Sequence, residues 1–272
     1  MKESRINKAF SHCQERGEAA FIPFITAGDP DINTTYEICL KMAEMGADII
    51  ELGMPFSDPL ADGPTIQASS QRALTRGINT EMILSLVSRL RSVTQCPIVL
   101  MGYYNPILQY GLKQFAKDAK EAGADGTIIP DLPLEESGQW QKEADKIGLS
   151  NIFLVAPNTP MDRVEKISRK SRGFLYYVSV TGITGARQEL PKELVDGLKK
   201  VKKVSPVPVS VGFGISRPDQ VRQLREYADG IIVGSAIIKI VEKNNPSKKL
   251  IVDEIGNFVK EMKKATTNSY AS

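Results

Sequence analysis

Histidine is nearly absent from this chain of 272 residues: His12 is the only one. A metal centre built on several imidazoles is therefore excluded, and no metal site is expected. His12 itself, beside Ile6, Phe10 and Cys13 in an amphipathic N-terminal segment, reads as a helix-surface residue. Cysteine is sparse too. Cys13, Cys39 and Cys96 stand far apart, without metal or redox spacing, and read as buried thiols in a reducing cytosol. No run approaches the roughly 20 apolar residues of a membrane span. The N-terminal Met-Lys-Glu-Ser-Arg-Ile-Asn-Lys lacks the apolar stretch of a signal peptide, so a cytoplasmic protein with no membrane role is expected. Neither sign of charge dominates: 35 Lys and Arg against 32 Asp and Glu leave a net charge of +3. The basic residues are dispersed until Lys260, Lys263 and Lys264, which read as a solvated helix face and not as a nucleic-acid surface.

What the chain does have is core. A hydrophobic content of 42% with 25% charged residues is that of an ordinary globule, and an α/β barrel typically runs to about 250 residues. Short β-branched runs at 21–26, 48–53, 97–102, 126–130, 151–156, 174–180, 208–212 and 230–234 alternate with segments of helical period at 34–45, 81–93, 112–122, 135–147, 161–170, 192–204 and 218–227. Gly46-Ala47-Asp48 and Gly123-Ala124-Asp125 mark helix exits just before strands. With no composition break along the chain, this alternation predicts a single (β/α)8 TIM barrel over residues 1–265. An extra N-terminal helix precedes it and an additional helix at 251–264 closes it. The polar tail 266–272 reads as frayed.

The most informative stretch is Glu51-Leu-Gly-Met-Pro-Phe-Ser-Asp-Pro-Leu-Ala-Asp-Gly-Pro64. It ends an apolar strand in Glu51 and places Asp62 in the Pro- and Gly-rich loop that follows. A charge at a buried strand end is costly unless it has a partner or a task. An ion pair with a nearby Lys or Arg is one reading. The loop is poor in both, which favours a pair of functional carboxylates where a parallel α/β enzyme keeps its chemistry. Glycines at the exits of the last three strands, in Gly182-Ile183-Thr184-Gly185, Gly212-Phe213-Gly214-Ile215-Ser216 and Gly234-Ser235, let a ligand reach backbone N–H groups. The helix start after Gly234 adds positive partial charge, which suits a phosphate monoester. The two ends together imply a small elongated substrate with an anionic tail and a reacting head.

With Pro23-Phe24-Ile25-Thr26-Ala27-Gly28-Asp29-Pro30 and Asp131-Leu-Pro-Leu-Glu135 added, these motifs resemble the alpha subunit of tryptophan synthase, in family order from near residue 3 to near 264. The resemblance implies a carbon–carbon lyase that cleaves indole-3-glycerol phosphate to indole and glyceraldehyde 3-phosphate, with no cofactor in this subunit. It makes Glu51 the general acid/base and Asp62 the partner of the indole N–H. Phe24, Met101 and Leu154 match walls of the indole pocket. Tyr176 matches an active-site tyrosine, with Tyr177 one step away in sequence. Thr184, Gly185, Phe213, Gly214, Gly234 and Ser235 match the loops around the glycerol phosphate. Val180-Thr181 departs from the Arg-Ala of some members.

The resemblance also implies a pyridoxal-phosphate-dependent beta subunit that takes up the indole in an alpha2-beta2 heterotetramer. The loop with Met54, Pro55, Phe56 and Asp58 is expected to be its apolar and acidic docking rim. Three alternatives remain open: a stand-alone indole-releasing lyase, a regulatory partner subunit, and another phosphate-binding barrel enzyme such as a sugar-phosphate epimerase. The metal-dependent kind of epimerase wants histidines this chain lacks.

Overall fold

The computed structural model describes residues 4–179, 190–212 and 214–267. Its nine parallel strands are β1 (Ala20–Thr26), β2 (Ile50–Gly53), β3 (Ile98–Met101), β4 (Gly126–Ile128), β5 (Ser150–Ile152), β6 (Leu154–Val155), β7 (Leu175–Val178), β8 (Val209–Gly212) and β9 (Gly230–Val233). They pair in the order β5-β4-β3-β2-β1-β9-β8-β7-β6. β5 and β6 are halves of one strand parted by Phe153, the first pairing with β4 and the second with β7. The nine pieces are thus the eight strands of a TIM barrel, with the fifth split where the ring closes.

The helices are α1 (Arg5–Glu15), α2 (Ile32–Glu44), α3 (Pro64–Thr75), α4 (Thr80–Arg91), α5 (Tyr104–Tyr110), α6 (Leu112–Ala122), α7 (Gly138–Ile147), α8 (Met161–Lys170), α9 (Lys192–Val204), α10 (Pro218–Leu224), α11 (Ser235–Asn244) and α12 (Lys248–Ala265). Strand alternation sorts their contacts. Residues such as Ile25, Ile50, Leu52 and Val211 face outward and pack on the helices. Ala20, Ile22, Ile49, Val99, Ile128 and Ile232 fill the barrel, where α1 joins them through Ile6, Phe10 and Cys13. The Phe10 and Phe174 rings stand 5.7 Å apart, so α1 plugs the N-terminal mouth. Ligand access is left to the opposite end, where the strands finish.

That closed end has its own lock. Asp48, Asp125 and Asp229 stand just before β2, β4 and β9, and each carboxylate accepts a backbone N–H at the start of the preceding strand. The donors are Phe21 at 2.7 Å, Ile98 at 2.9 Å and Val209 at 2.8 Å. Before β7 the same place is taken by Ser171, whose hydroxyl accepts the Phe153 N–H at 3.1 Å. Each even strand of the eight thus pins the odd strand before it. Cations neutralise the carboxylates: Lys263 on Asp48, Arg5 and Arg91 on Asp125, and Lys202 on Asp229.

Several expectations change. Lys263 is not on a solvated face but half-buried between Asp48 at 2.7 Å and Glu18 at 3.0 Å, because the strand-start carboxylate needs a counter-charge. Thr266, expected to open a frayed tail, is fully buried. Its carbonyl accepts the Ala19 N–H, while 268–272 lie outside the described residues. Cys13 and Cys39 are buried as expected, but Cys96, in the loop before β3, is only half-buried. His12 is exposed on α1. α3 and α5 were not anticipated. Among the described residues no helix is long and apolar enough to cross a membrane.

Candidate active site

A cavity of about 280 Å³ opens at the C-terminal end of the strands. Phe24 on β1 and Glu51 on β2 are register partners, and both line it. Alternation explains their placement: Ile50 and Leu52 face the helices, so Glu51 between them must face inward. Only 1% of Glu51 is exposed, and its Oε2 has no hydrogen-bond partner among the described residues. Among the described residues no Lys or Arg pairs with it, so the ion pair that would have made it structural is not found there. Burial, reinforced by the charge of Asp62, pushes the Glu51 carboxyl up to about 8.

Asp62 reaches the same cavity from the loop between β2 and α3. That loop is held locally: the Leu60 N–H bonds to Asp58, the Asp62 N–H to the Pro59 carbonyl, and the Ala61 N–H to the Tyr103 hydroxyl at 3.0 Å. Gln67 on α3 grips the Asp62 carbonyl at 2.8 Å. Burial raises the Asp62 carboxyl to about 6, opposed by a hydrogen bond from Tyr103. Near neutral pH the pair is therefore split by environment, Glu51 holding its proton and Asp62 ionised, the arrangement that acid–base chemistry needs.

Of the two neighbouring tyrosines, Tyr176 lines the cavity. Tyr177 points outward, its hydroxyl against Gly197 of α9. Burial, with the Glu51 and Asp62 charges adding to it, pushes the Tyr176 phenol well above its ordinary range, so it remains a neutral donor. It needs Gly212: a Cβ there would stand 2.5 Å from the Tyr176 hydroxyl. Met101 at the end of β3 and Leu154 of β6 complete the wall on this side.

Gly214, Gly234 and Ser235, from the exits of β8 and β9, line the same cavity. Gly214 has φ of +72°, the left-handed region that favours glycine, and Gly234 is the N-cap of α11. Sequence reasoning thus placed Glu51, Asp62, Phe24, Met101, Leu154, Tyr176, Gly214, Gly234 and Ser235 in one cavity. Thr184, Gly185 and Phe213, together with Val180 and Thr181, lie outside the described residues. It missed Ile66 on α3, Pro130 after β4 and Lys239 on α11. Ile66 was within reach, since it stands two residues after the motif that runs from Glu51 to Pro64. Tyr103, a buried tyrosine 42 positions from Ala61 in sequence, carries no local signal for its loop-holding task. No group of three or more His, Cys, Asp and Glu fit to hold a metal occurs among the described residues.

The comparisons with known proteins agree. The family profile described as Tryptophan synthase alpha chain matches residues 10–267. The tryptophan synthase alpha chain of Geobacter sp. (strain M21) is 48% identical over 96% of this chain and 97% of its own length. That of Geobacter sulfurreducens is 48% identical over 97% of this chain and 100% of its own. Among solved structures, the tryptophan synthase alpha chain of Legionella pneumophila subsp. pneumophila superposes with a TM-score of 0.91 at 37% identity, covering 99% of this chain and 100% of that one. A chain of the tryptophan synthase a2b2 complex of Pyrococcus furiosus does so with 0.85 at 41% identity, over 90% and 98%.

Proposed function

From its membership of the tryptophan synthase alpha chain family, to which this chain belongs, we propose how its own residues carry the alpha reaction, the retro-aldol cleavage of indole-3-glycerol phosphate to indole and glyceraldehyde 3-phosphate. The observation that carries the assignment is the split carboxylate pair: a buried Glu51, one oxygen without a hydrogen-bond partner among the described residues, raised to about 8 beside Asp62 at about 6 in one cavity.

Indole is a poor carbanion leaving group and a good neutral one, so C3 must gain a proton before its bond to the side chain breaks. Protonated Glu51 donates to C3. The positive charge that develops on the ring nitrogen is stabilised by ionised Asp62 accepting the N–H. The glycerol hydroxyl next to C3 then loses its proton to the Glu51 carboxylate as the C–C bond breaks. The bond pair returns to the ring, and the hydroxyl carbon becomes the aldehyde. One proton is given and one taken, so Glu51 ends as it began. Tyr176, Phe24, Met101 and Leu154 wall in the indole, and Gly214, Gly234 and Ser235 grip the phosphate with backbone N–H groups, in company with Thr184, Gly185 and Phe213. Pyridoxal phosphate belongs to the beta subunit.

The chain acts as one catalytic unit over residues 1–265, in the cytoplasm, delivering indole to a beta subunit in an alpha2-beta2 assembly. The rim that supports docking differs from the one the sequence suggests. Met54 is buried, and Phe56 leans on Tyr103 with ring centroids 5.2 Å apart. Of the exposed large apolar residues, which also include Met82, Val93 and Leu250, Leu60 at 93%, Leu108 and Met161 lie in segments that follow strand ends and so on the face of the cavity mouth. The test follows indole release and co-elution with and without the beta subunit of the same organism. A complex at micromolar concentration that speeds cleavage is expected, and Leu60→Asp should weaken it about tenfold, the order for an interface anchor. A rate indifferent to the partner would favour the stand-alone lyase.

A further inference from the structure

Lys239 has no part in the roles assigned so far, yet it lines the cavity together with Gly214, Gly234 and Ser235. It lies four residues after Ser235 on α11, on the same helix face. Side chains on a helix lean toward its N-terminus, so the lysine stem runs back toward the mouth that Gly234 caps. There the first intrahelical bonds are made by the Ile237 and Ile238 N–H groups to the Gly234 carbonyl. The Ser235 and Ala236 amides come before them and point out of the helix.

Charge makes the placement informative. Among the described residues lining the cavity, Lys239 is the only cation, and the two anions, Glu51 and Asp62, come from β2 and the loop after it. Among the described residues no carboxylate lies within ion-pair distance of Lys239, whereas the next lysine of the same helix, Lys243, is paired with Glu254 at 3.3 Å. Lys239 is exposed, so its ammonium is free to turn back over the helix N-terminus, where an anion would offset the repulsion of the macrodipole. Neutral amides can cradle a phosphate, but they distinguish a dianion from a neutral group of similar shape less sharply than a charge does.

We propose that Lys239 is the charge-selecting residue of the phosphate end: its ammonium binds the phosphate dianion directly, so that substrates and products carrying a phosphate monoester are held and their uncharged analogues are not. The proposal rests on the phosphate-site reading given above. It makes Lys239 a specificity residue whose contact is the same before and during bond cleavage, so its loss falls on KM and not on kcat.

The test compares the wild type with Lys239→Met and Lys239→Arg in indole-3-glycerol phosphate cleavage, using glycerol 3-phosphate and indole as separate competitive inhibitors. Lys239→Met should raise KM and the glycerol 3-phosphate inhibition constant about tenfold or more, the size of one charge-assisted hydrogen bond. Inhibition by indole should stay as it is, and the dependence of KM on salt should flatten. Lys239→Arg, which keeps the charge, should recover most of the loss. A glycerol 3-phosphate constant unmoved in Lys239→Met overturns the proposal, and so does an equal weakening of both inhibitors, which marks a structural effect. Failure of glycerol 3-phosphate to compete in the wild type removes the phosphate site itself, and Lys239's task with it.

Discussion

Glu51 suits its proposed task because of where it is denied help. One of its oxygens has no hydrogen-bond donor, and burial keeps the proton on a group that would have lost it in water. The pH profile follows. In the proposed mechanism cleavage needs Glu51 protonated and Asp62 ionised, so kcat/KM should form a bell, falling below about 6 as Asp62 takes a proton and above about 8 as Glu51 loses one. Stopped or continuous assays of indole release across this range check it, and a flat alkaline limb would remove Glu51 as the acid. Glu51→Gln keeps the shape and lacks the proton, so turnover should drop by roughly 10² to 10⁴ with KM little changed. Glu51 and Asp62 were legible in the sequence because a carboxylate at the end of an apolar run violates the burial rule. The choice between Tyr176 and Tyr177 was not, because period two fixes only that they face opposite ways. The three-dimensional closure of the barrel decides which of them faces in.

The element that holds Asp62 is α3, and its far anchor is Asp29. That carboxylate is fully buried at the end of β1. It takes two hydrogen bonds from Arg72, at 2.9 and 2.6 Å, and one from Ser69 at 2.6 Å. Asp29→Ala would leave Arg72 and Ser69 unpaired and should cost about 2–3 kcal/mol of stability, below the full penalty for a buried pair because Arg72 can turn to water. Urea unfolding measures that loss. A fall in kcat should accompany it, because the loop before α3 loses its footing; a stability loss with kcat intact would separate the helix from the loop. α3 escaped the sequence because its buried face is Ser69, Ser70 and Ala73. Small and polar residues there make no apolar stripe for periodicity to detect. α5 is only seven residues long and contains Pro106. The fifth strand read as continuous because Phe153 is as apolar as its neighbours, and the break reflects ring closure, a property of the whole sheet. The eight strands themselves were legible because they are largely buried and read as short runs rich in apolar and β-branched residues, even where Glu51, Thr127, Asn151 or Ser210 interrupts them.

For the whole molecule, the price of that acid is a dependence of stability on pH. A carboxyl whose folded pKa lies above its unfolded one makes the native state bind more protons than the unfolded chain. Stability is therefore lost as pH rises through the interval between the two values. For Glu51 the interval runs from 4.5 to about 8, and for Asp62 from 3.8 to about 6. Glu18, whose desolvation is outweighed by Lys263 and Arg16, is held below its ordinary value and acts in the opposite sense, on the acid side. Between neutrality and mild alkali Glu51 dominates. Relative to the wild type, Glu51→Gln should gain stability between pH about 5 and about 9, read as the shift in urea midpoint. A difference independent of pH would mean that Glu51 ionises in the fold without penalty.

The lock formed by Asp48, Asp125, Ser171 and Asp229 bears on how such a chain can change over generations. Asp48, just before β2, and Glu51, within it, are three positions apart, yet one fastens the barrel and the other lines the cavity at its mouth. About 10 Å of strand separates them, at roughly 3.3 Å per residue. Mutations in the loops at the mouth are thus tried out on a frame whose fastenings they do not touch, and mutations at the fastenings are exposed to selection through folding before chemistry is consulted. A lineage carrying this barrel is free to alter what the mouth accepts, one loop at a time, while inheriting the means of staying folded unchanged.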